Sequence, residues 1–280
     1  MARVRYSFSS RRTGHIKNMR KQKEKFPKLV RDIVETSDIL LEVLDARFIQ
    51  ETRNTEIENL IHSQGKKIIY VLNKSDLVDL KSKILEVGLL EISSFLFVSC
   101  KKRKGMSKLR DKIKIEVKKL GIENRRVQVG IIGYPNTGKS SLINRLIGKS
   151  SARTAPEAGF TKGVQKIRFS PNILILDTPG VIPESEYSHT ERGALQKQIM
   201  VGARTSDRIR DPELFVSEIM KTHSKQIEKF YKIDAKGDVE LLIEQLGRKR
   251  NFLRKGGVVD EDRTSRWVIR DWQEGRIKIN

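Results

Sequence analysis

One cysteine, Cys100, in a chain of 280 residues cannot close a disulfide within that chain, and it suits a reducing compartment. Long apolar runs are missing too. No stretch reaches the roughly 18 residues a membrane span needs, so no membrane partner is expected. The opening segment "MARVRYSFSSRRTGHIKNMRKQK" has no apolar signal core, and a cytoplasmic location is expected. His62, His189 and His223 lack metal-ligand spacing, and neither an internal repeat nor a low-complexity tract is present. Acidic residues are the remaining shortage: 35 Asp and Glu face 57 Lys and Arg, a formal charge of +22. The deficit is uneven. Residues 1–30 hold ten basic residues against one acid, residues 101–130 twelve against three, and residues 181–280 twenty against seventeen. Two basic blocks of this kind suit a polyphosphate backbone, because binding releases condensed counterions; a solvated basic surface that aids solubility is the plainer alternative.

What the chain does have is a succession of buried strands alternating with helices. "DILLEVLDAR", "KKIIYVLNK", "SFLFVSC", "VQVGIIGY" and "NILILDTPG" read as buried strands, and "TKGVQKIRFS" as a half-exposed one. Between them, "NTEIENLIHSQ", "LVDLKSKILEVG" (stopped by Gly88), "GMSKLRDKIKIEVKKLG" (stopped by Gly121) and "KSSLINRLIG" read as helices. The alternation predicts an α/β domain, a mainly parallel sheet with helices on both faces. Beyond Pro183 the strand signal stops. "ERGALQKQIMVGARTSDRI", "DPELFVSEIMKTHSKQIEKFYKI", "GDVELLIEQLG" and "DEDRTSRWVIRDWQEG" predict helices with Asp-rich starts and Gly stops. The expected plan is a basic arm at 1–35, an α/β domain at 36–183 and a C-terminal α-helical domain at 184–280.

The chemistry sits in three short motifs. "GYPNTGKS" fits G-x-x-x-x-G-K-[ST] between a predicted strand and helix, the context that a phosphate-binding loop needs. Pro135, Asn136, Thr137, Gly138, Lys139, Ser140 and Ser141 are expected around the phosphates, with Lys139 on the β- and γ-phosphates and the Ser140 hydroxyl on Mg²⁺. "DTPG" ends a buried strand downstream, placing Asp177 to orient the water shell of Mg²⁺ and the Gly180 N–H to meet the γ-phosphate. "NKSD" supplies Asn73, Lys74 and Asp76. A carboxylate at Asp76 can accept from guanine N1–H and N2–H₂, a donor pair that adenine lacks, and sites built on such bonds reject analogues by roughly 10⁴–10⁵. Asn73 can brace the loop, the Lys74 stem can lie along the ring, and "SCK" (Ser99, Cys100, Lys101) can offer backbone N–H groups to guanine O6.

The order of these motifs is unusual. An ordinary GTPase runs phosphate loop, switch threonine, DxxG, NKxD, SAK; here NKSD and SCK come first, and the phosphate loop begins 57 residues after Asp76. The cyclic order is unchanged and only the cut differs. Because domain termini often lie close together, joining the old ends through residues 102–126 preserves the fold. The α/β domain is therefore predicted to be a circularly permuted P-loop GTPase domain binding GTP and GDP.

That arrangement resembles the YlqF/YawG family of circularly permuted ribosome-assembly GTPases. "DARFIQETRN" resembles the family's D-A-R-x-P-x-x-x-R-N segment, with Ile49 in place of the proline. "LGRKRNFLRKGGVVDEDRTSRWVIRDWQEGRI" is similar to its C-terminal helical segment, and "TGHIKNM" to an N-terminal G-H-M motif of bacterial members. The resemblance implies GTP hydrolysis, binding to pre-ribosomal RNA and assistance to the large ribosomal subunit precursor; separately, a monomer is expected. Rival expectations are a permuted GTPase serving tRNA or the small subunit, and an RNA-binding scaffold that uses GTP structurally. Small-subunit members typically carry an oligonucleotide-binding barrel or zinc motif, and neither is visible here.

For hydrolysis, Val181 follows DTPG where many GTPases place a water-orienting Gln, so intrinsic turnover is expected to be slow. Asn136 either braces its loop or, as in potassium-dependent GTPases, ligates K⁺. His15 either orients water through the Gly-His segment or contacts RNA. The switch threonine, a Mg²⁺ and γ-phosphate ligand, is assigned to Thr161 over Thr154 on the family's P-G-x-T-like segment. Trp267 and Trp272 have the helical spacing of core residues, while "GRKRNFLRKGG" (247–257) is the better RNA contact.

Overall fold

Strand β1 (Ile39–Asp45) is buried at every position, as an unbroken apolar run requires of a strand covered on both faces. Ile39, Leu41 and Val43 point into one core and Leu40 and Leu44 into the other, the two-residue alternation of a pleated strand. The computed structural model describes residues 30–148, 165–178, 180–183, 192–204 and 206–278. Around β1 it adds β2 (Lys67–Asn73), β3 (Phe95–Phe97), β4 (Val127–Ile132), β5 (Gln165–Ser170) and β6 (Ile173–Asp177).

The six strands lie in the order β3-β2-β1-β4-β6-β5. All neighbours are parallel except β5, which runs antiparallel to β6. Counted from β4 onward and round through β1, the same sheet reads 2-3-1-4-5-6. The permuted cut therefore leaves an intact doubly wound sheet, with β1 hydrogen-bonded directly to β4. The fold class is the one expected.

The described residues 30–36 form helix α1, and its Val30, Ile33 and Val34 pack into the α/β core. The sheet is flanked further by α2 (Ile49–Thr52), α3 (Thr55–Ser63), α4 (Leu80–Leu89), α5 (Met106–Lys119) and α6 (Lys139–Ile147). After β6 come α7 (Arg192–Met200), α8 (Pro212–Tyr231), α9 (Val239–Lys249) and α10 (Glu261–Gln273). Asp238 and Asp260 cap α9 and α10 by accepting from the backbone N–H three residues on, which satisfies donors a helix start leaves open. Phe215, Ile219, Leu246, Val268 and the buried Trp272 form the helical core, joined by Phe48 and Tyr134 from loops of the sheet half. No helix among the described residues is long and apolar enough to cross a membrane.

Two helix boundaries differ from expectation. Gly88 lies inside α4; the helix ends at Leu89 with Leu90 as its C-cap, and the left-handed turn falls on Glu91 because the buried Ile92 donates back to the Val87 carbonyl. The stretch 191–209 is not one helix. α7 stops at Met200, where Gly202 (φ 82°) turns the chain before a 3-10 turn at Ser206–Arg208.

Candidate nucleotide site

The loops at the carboxyl ends of β2, β3 and β4 open onto a cavity of about 1400 Å³. The lining loops follow strands on either side of β1, next to the point between β1 and β4 where the strand order reverses and open α/β sheets bind ligands. Both motif groups separated in sequence reach its wall: Asn73, Lys74, Asp76, Cys100 and Lys101 from one side, Asn136, Gly138 and Ser141 from the other.

The two loops are bonded to each other. Asn73 Nδ2 donates to the Thr137 carbonyl at 2.8 Å, and its Oδ1 accepts from the Cys100 N–H at 3.2 Å. Gly138 is essential to this approach, since a Cβ on it would lie 2.3 Å from Asn73 Nδ2, at a φ of 99° that favours glycine. Ser99 Oγ donates to Asp76 Oδ1 at 2.5 Å and accepts from the Lys102 N–H, which fixes the carboxylate at the mouth. Arg145 of α6 donates to the Cys100 carbonyl at 3.1 Å. Burial pushes the Cys100 thiol up to about 11, so it sits there as a small apolar residue and not as a thiolate.

Lys74 introduces a residue pair that motif reading did not assign to the site. Its Nζ lies 2.7 Å from Asp45 Oδ2, and Asp45 is held in turn by Arg47 through Nε at 3.0 Å and Nη2 at 2.8 Å. β1 and β2 are in register with Asp45 beside Asn73, which brings the pair together. Burial alone would raise the Asp45 pKa, but Arg47 and Lys74 hold the carboxyl well below the usual range. The "DAR" segment was visible as a family feature; its contact with the base loop depends on strand register, which one sequence does not display.

At the phosphate loop, Lys139 Nζ donates to the carbonyls of Gly133 and Tyr134, both at 2.9 Å. Burial lowers its ammonium to about 8, with Asp177 opposing that shift. Thr137 Oγ1 closes the loop on the Tyr134 carbonyl at 2.9 Å, and the buried Pro135 packs against Gly180. The Val181 N–H donates to the Gly133 carbonyl at 3.2 Å and its side chain is buried, which joins the DTPG end of β6 to the phosphate loop.

Asp177 is buried with its pKa raised by desolvation, and its Oδ1 has no hydrogen-bond partner among the described residues. A hard divalent cation with oxygen ligands fits that orphaned carboxylate and the Ser140 hydroxyl at the start of α6. Among the described residues no three His, Cys, Asp or Glu cluster as a metal cage. His15, Thr154 and Thr161 lie outside the described residues.

The helical half forms the rest of the wall, a role the sequence had not indicated. The side-chain amide of Asn136 donates to the Gly202 carbonyl, so the break in α7 delivers a backbone acceptor onto the phosphate loop. Arg47 Nη1 donates to the Trp272 carbonyl at 2.9 Å, and Gly275 lies against Leu77. Trp267 and Trp272 face the helical core and not the cavity.

Residues 128–245 match the family model described as 50S ribosome-binding GTPase. An uncharacterized GTP-binding protein of Methanocaldococcus jannaschii is 38% identical over 269 residues, covering 94% of this chain and 68% of that protein. Nucleolar GTP-binding protein 2 of Saccharomyces cerevisiae is 32% identical over 255 residues, and the match spans 50% of its length. Among solved structures, GNP-bound YlqF from T. maritima superposes with a TM-score of 0.62 at 26% identity, covering 90% of this chain and 94% of that one. With the permuted motif order, the intact sheet and these similarities together, the chain belongs to the YlqF/YawG family of circularly permuted GTPases.

Proposed function

We propose that the chain is a GTP-hydrolysing switch that binds ribosomal RNA in a large-subunit precursor and assists its assembly. The observation that carries this reading is the single cavity lined by both a base loop and a phosphate loop, with unpaired basic surface beside it. Asp76, steadied by Ser99, accepts from guanine N1–H and N2–H₂, while Asn73 and Lys74 shape the ring slot. The Lys139 ammonium turns from loop carbonyls to the β- and γ-phosphates, whose added charge favours its protonated form. Ser140, Thr161 and the water shell oriented by Asp177 would hold Mg²⁺, which would supply neutralisation of phosphate charge.

RNA binding is supported by Lys101, Lys102, Arg103 and Lys104, all exposed and without an ion-pair partner among the described residues. On the helical half, Arg248, Lys249, Arg250 and Lys255 are exposed as well. The large-subunit assignment takes its support from the family model's 50S description and from nucleolar GTP-binding protein 2. Sucrose-gradient co-sedimentation with each ribosomal subunit under GTP, GDP and a non-hydrolysable analogue tests it. Co-migration with large-subunit particles that depends on the nucleotide is expected; indifference to both subunits would defeat it.

Turnover by the chain alone is slow, because the buried Val181 offers nothing to orient water. K⁺ is the supplement we favour. Asn136 would ligate it through Oδ1 while Nδ2 keeps its bond to the Gly202 carbonyl, so one side chain serves both the ion and the docking of the helical half. Equal rates in KCl and NaCl would remove this element. His15→Ala, with undiminished turnover on ribosomal particles, would remove the histidine from hydrolysis.

A further inference from the structure

Helix α10 ends at the nucleotide cavity. Gly275, at φ 67°, lets the turn after the helix lie directly on Leu77; a Cβ there would meet Leu77 Cδ1 at 2.2 Å. Leu77 immediately follows Asp76 of the base loop. Glu274 therefore stands at the base end of the cavity, which it lines together with Arg270 and Gln273. The bond from Arg47 to the Trp272 carbonyl holds the end of α10 in that position.

This wall is rich in acceptors. Glu274 and Asp207 contribute carboxylates, and Arg270 faces Asp207 at 3.5 Å. Carboxylates repel a triphosphate and find no donor on guanine O6 or N7. The guanine donor edge is the one Asp76 is placed to meet. What remains on a guanine nucleotide is the ribose, whose hydroxyls are donors and which spans the gap from base loop to phosphate loop. A carboxylate accepting from a ribose hydroxyl is an established solution in dinucleotide sites. Arg276 engages Glu274 Oε2 at 2.6 Å, leaving Oε1 for a hydroxyl.

We propose that the helical half reads the sugar of the nucleotide, with Glu274 accepting hydrogen bonds from the ribose hydroxyls. The proposal rests on the cavity being the guanine-nucleotide site. Its test is titration calorimetry of the full chain with GTP, 2′-deoxy-GTP and 2′,3′-dideoxy-GTP, avoiding ribose-labelled fluorescent analogues. The wild-type chain should bind GTP about tenfold more tightly than the dideoxy nucleotide, the scale of one hydrogen bond to a charged group. Glu274→Ala should bind all three alike, with the affinity the wild type has for the dideoxy form, and Asp207→Ala should keep the preference. A wild type indifferent to the sugar overturns the proposal without any substitution, as does preference retained in Glu274→Ala or lost only in Asp207→Ala. Lys139→Ala separates the two levels: if it binds GTP normally, the nucleotide site itself is misassigned.

Discussion

The sheet half and the helical half of this molecule meet the nucleotide cavity in different ways. In the sheet half, the loops are braced by side chains that bond within that half: Asn73 to Thr137, Ser99 to Asp76, Lys74 and Arg47 to Asp45. The helical half reaches the same loops through isolated contacts, two of which end on its backbone carbonyls, at Gly202 and Trp272. The base and phosphate loops are thus held in shape by the sheet, while the helical half is docked onto them. Among the described residues, the contacts at Asn136–Gly202 and Leu77–Gly275 involve residues that line or adjoin the cavity, while Phe48 and Tyr134 add apolar contacts with the helical core. A ligand that shifts these loops would shift the anchoring points of the helical half, which is the coupling the following variants test.

Removing the shared anchor should have the largest effect. Arg47→Ala leaves the buried Asp45 with Lys74 alone and frees the Trp272 carbonyl; loss of one partner from a buried ion pair costs about 3–5 kcal/mol. Urea unfolding should show that loss, and GTP affinity should fall with it as the Asp45 carboxylate that positions Lys74 loses the guanidinium that fixes it. Loss of stability with unchanged affinity would mean the two halves are independent. Asn136→Ala removes the docking contact to Gly202 and leaves that buried carbonyl without this donor, at a cost of about 1–3 kcal/mol. Faster proteolysis between β6 and α7, with the sheet half intact, is the expected sign; an unchanged cleavage pattern would show that this contact does not hold the halves together.

A smaller effect separates two carboxylates on β1. Asp45 is held ionised by its cations, whereas Glu42 is fully buried and its pKa is raised, by desolvation first and then by Glu58. Because the folded value lies above the unfolded one, the stability Glu42 contributes is complete below the ordinary glutamate range and is lost as pH rises toward the folded value. Glu42→Gln still offers an acceptor to the Asn54 N–H but carries no proton to lose. It should be more stable than wild type at pH 8, with little difference near pH 4. Parallel stability profiles for the two proteins would refute the buried, protonated assignment.

How much of this was readable in one dimension follows from what carries each contact. The permuted order was legible because the motifs holding Asn73, Asp76, Lys139 and Asp177 each pair a distinctive residue set with a strand end, and their cyclic order survives the cut. Strands were legible because "ILLEVLD" and its neighbours are buried on both faces. The docking was not legible. Acceptance by the Gly202 and Trp272 carbonyls leaves no side-chain signature, and the contact of Gly275 with Leu77 spans residues almost 200 positions apart in sequence. Gly88 misled as a helix stop because tertiary packing of Val87 and Ile92 carried α4 past it.

The central claim is that one guanine nucleotide joins the early base loop to the later phosphate loop, and replacing the carboxylate at Asp76 by an amide tests it most directly. Xanthine carries a carbonyl where guanine carries its N2 amino group, so Asp76→Asn offers a donor that suits xanthosine triphosphate and removes the acceptor that guanine needs. Calorimetry of wild type and Asp76→Asn against GTP, ATP and xanthosine triphosphate should show GTP preference in the first and a switch to the xanthine nucleotide in the second. Unaltered GTP preference in Asp76→Asn would contradict a base site formed by residues 73–76.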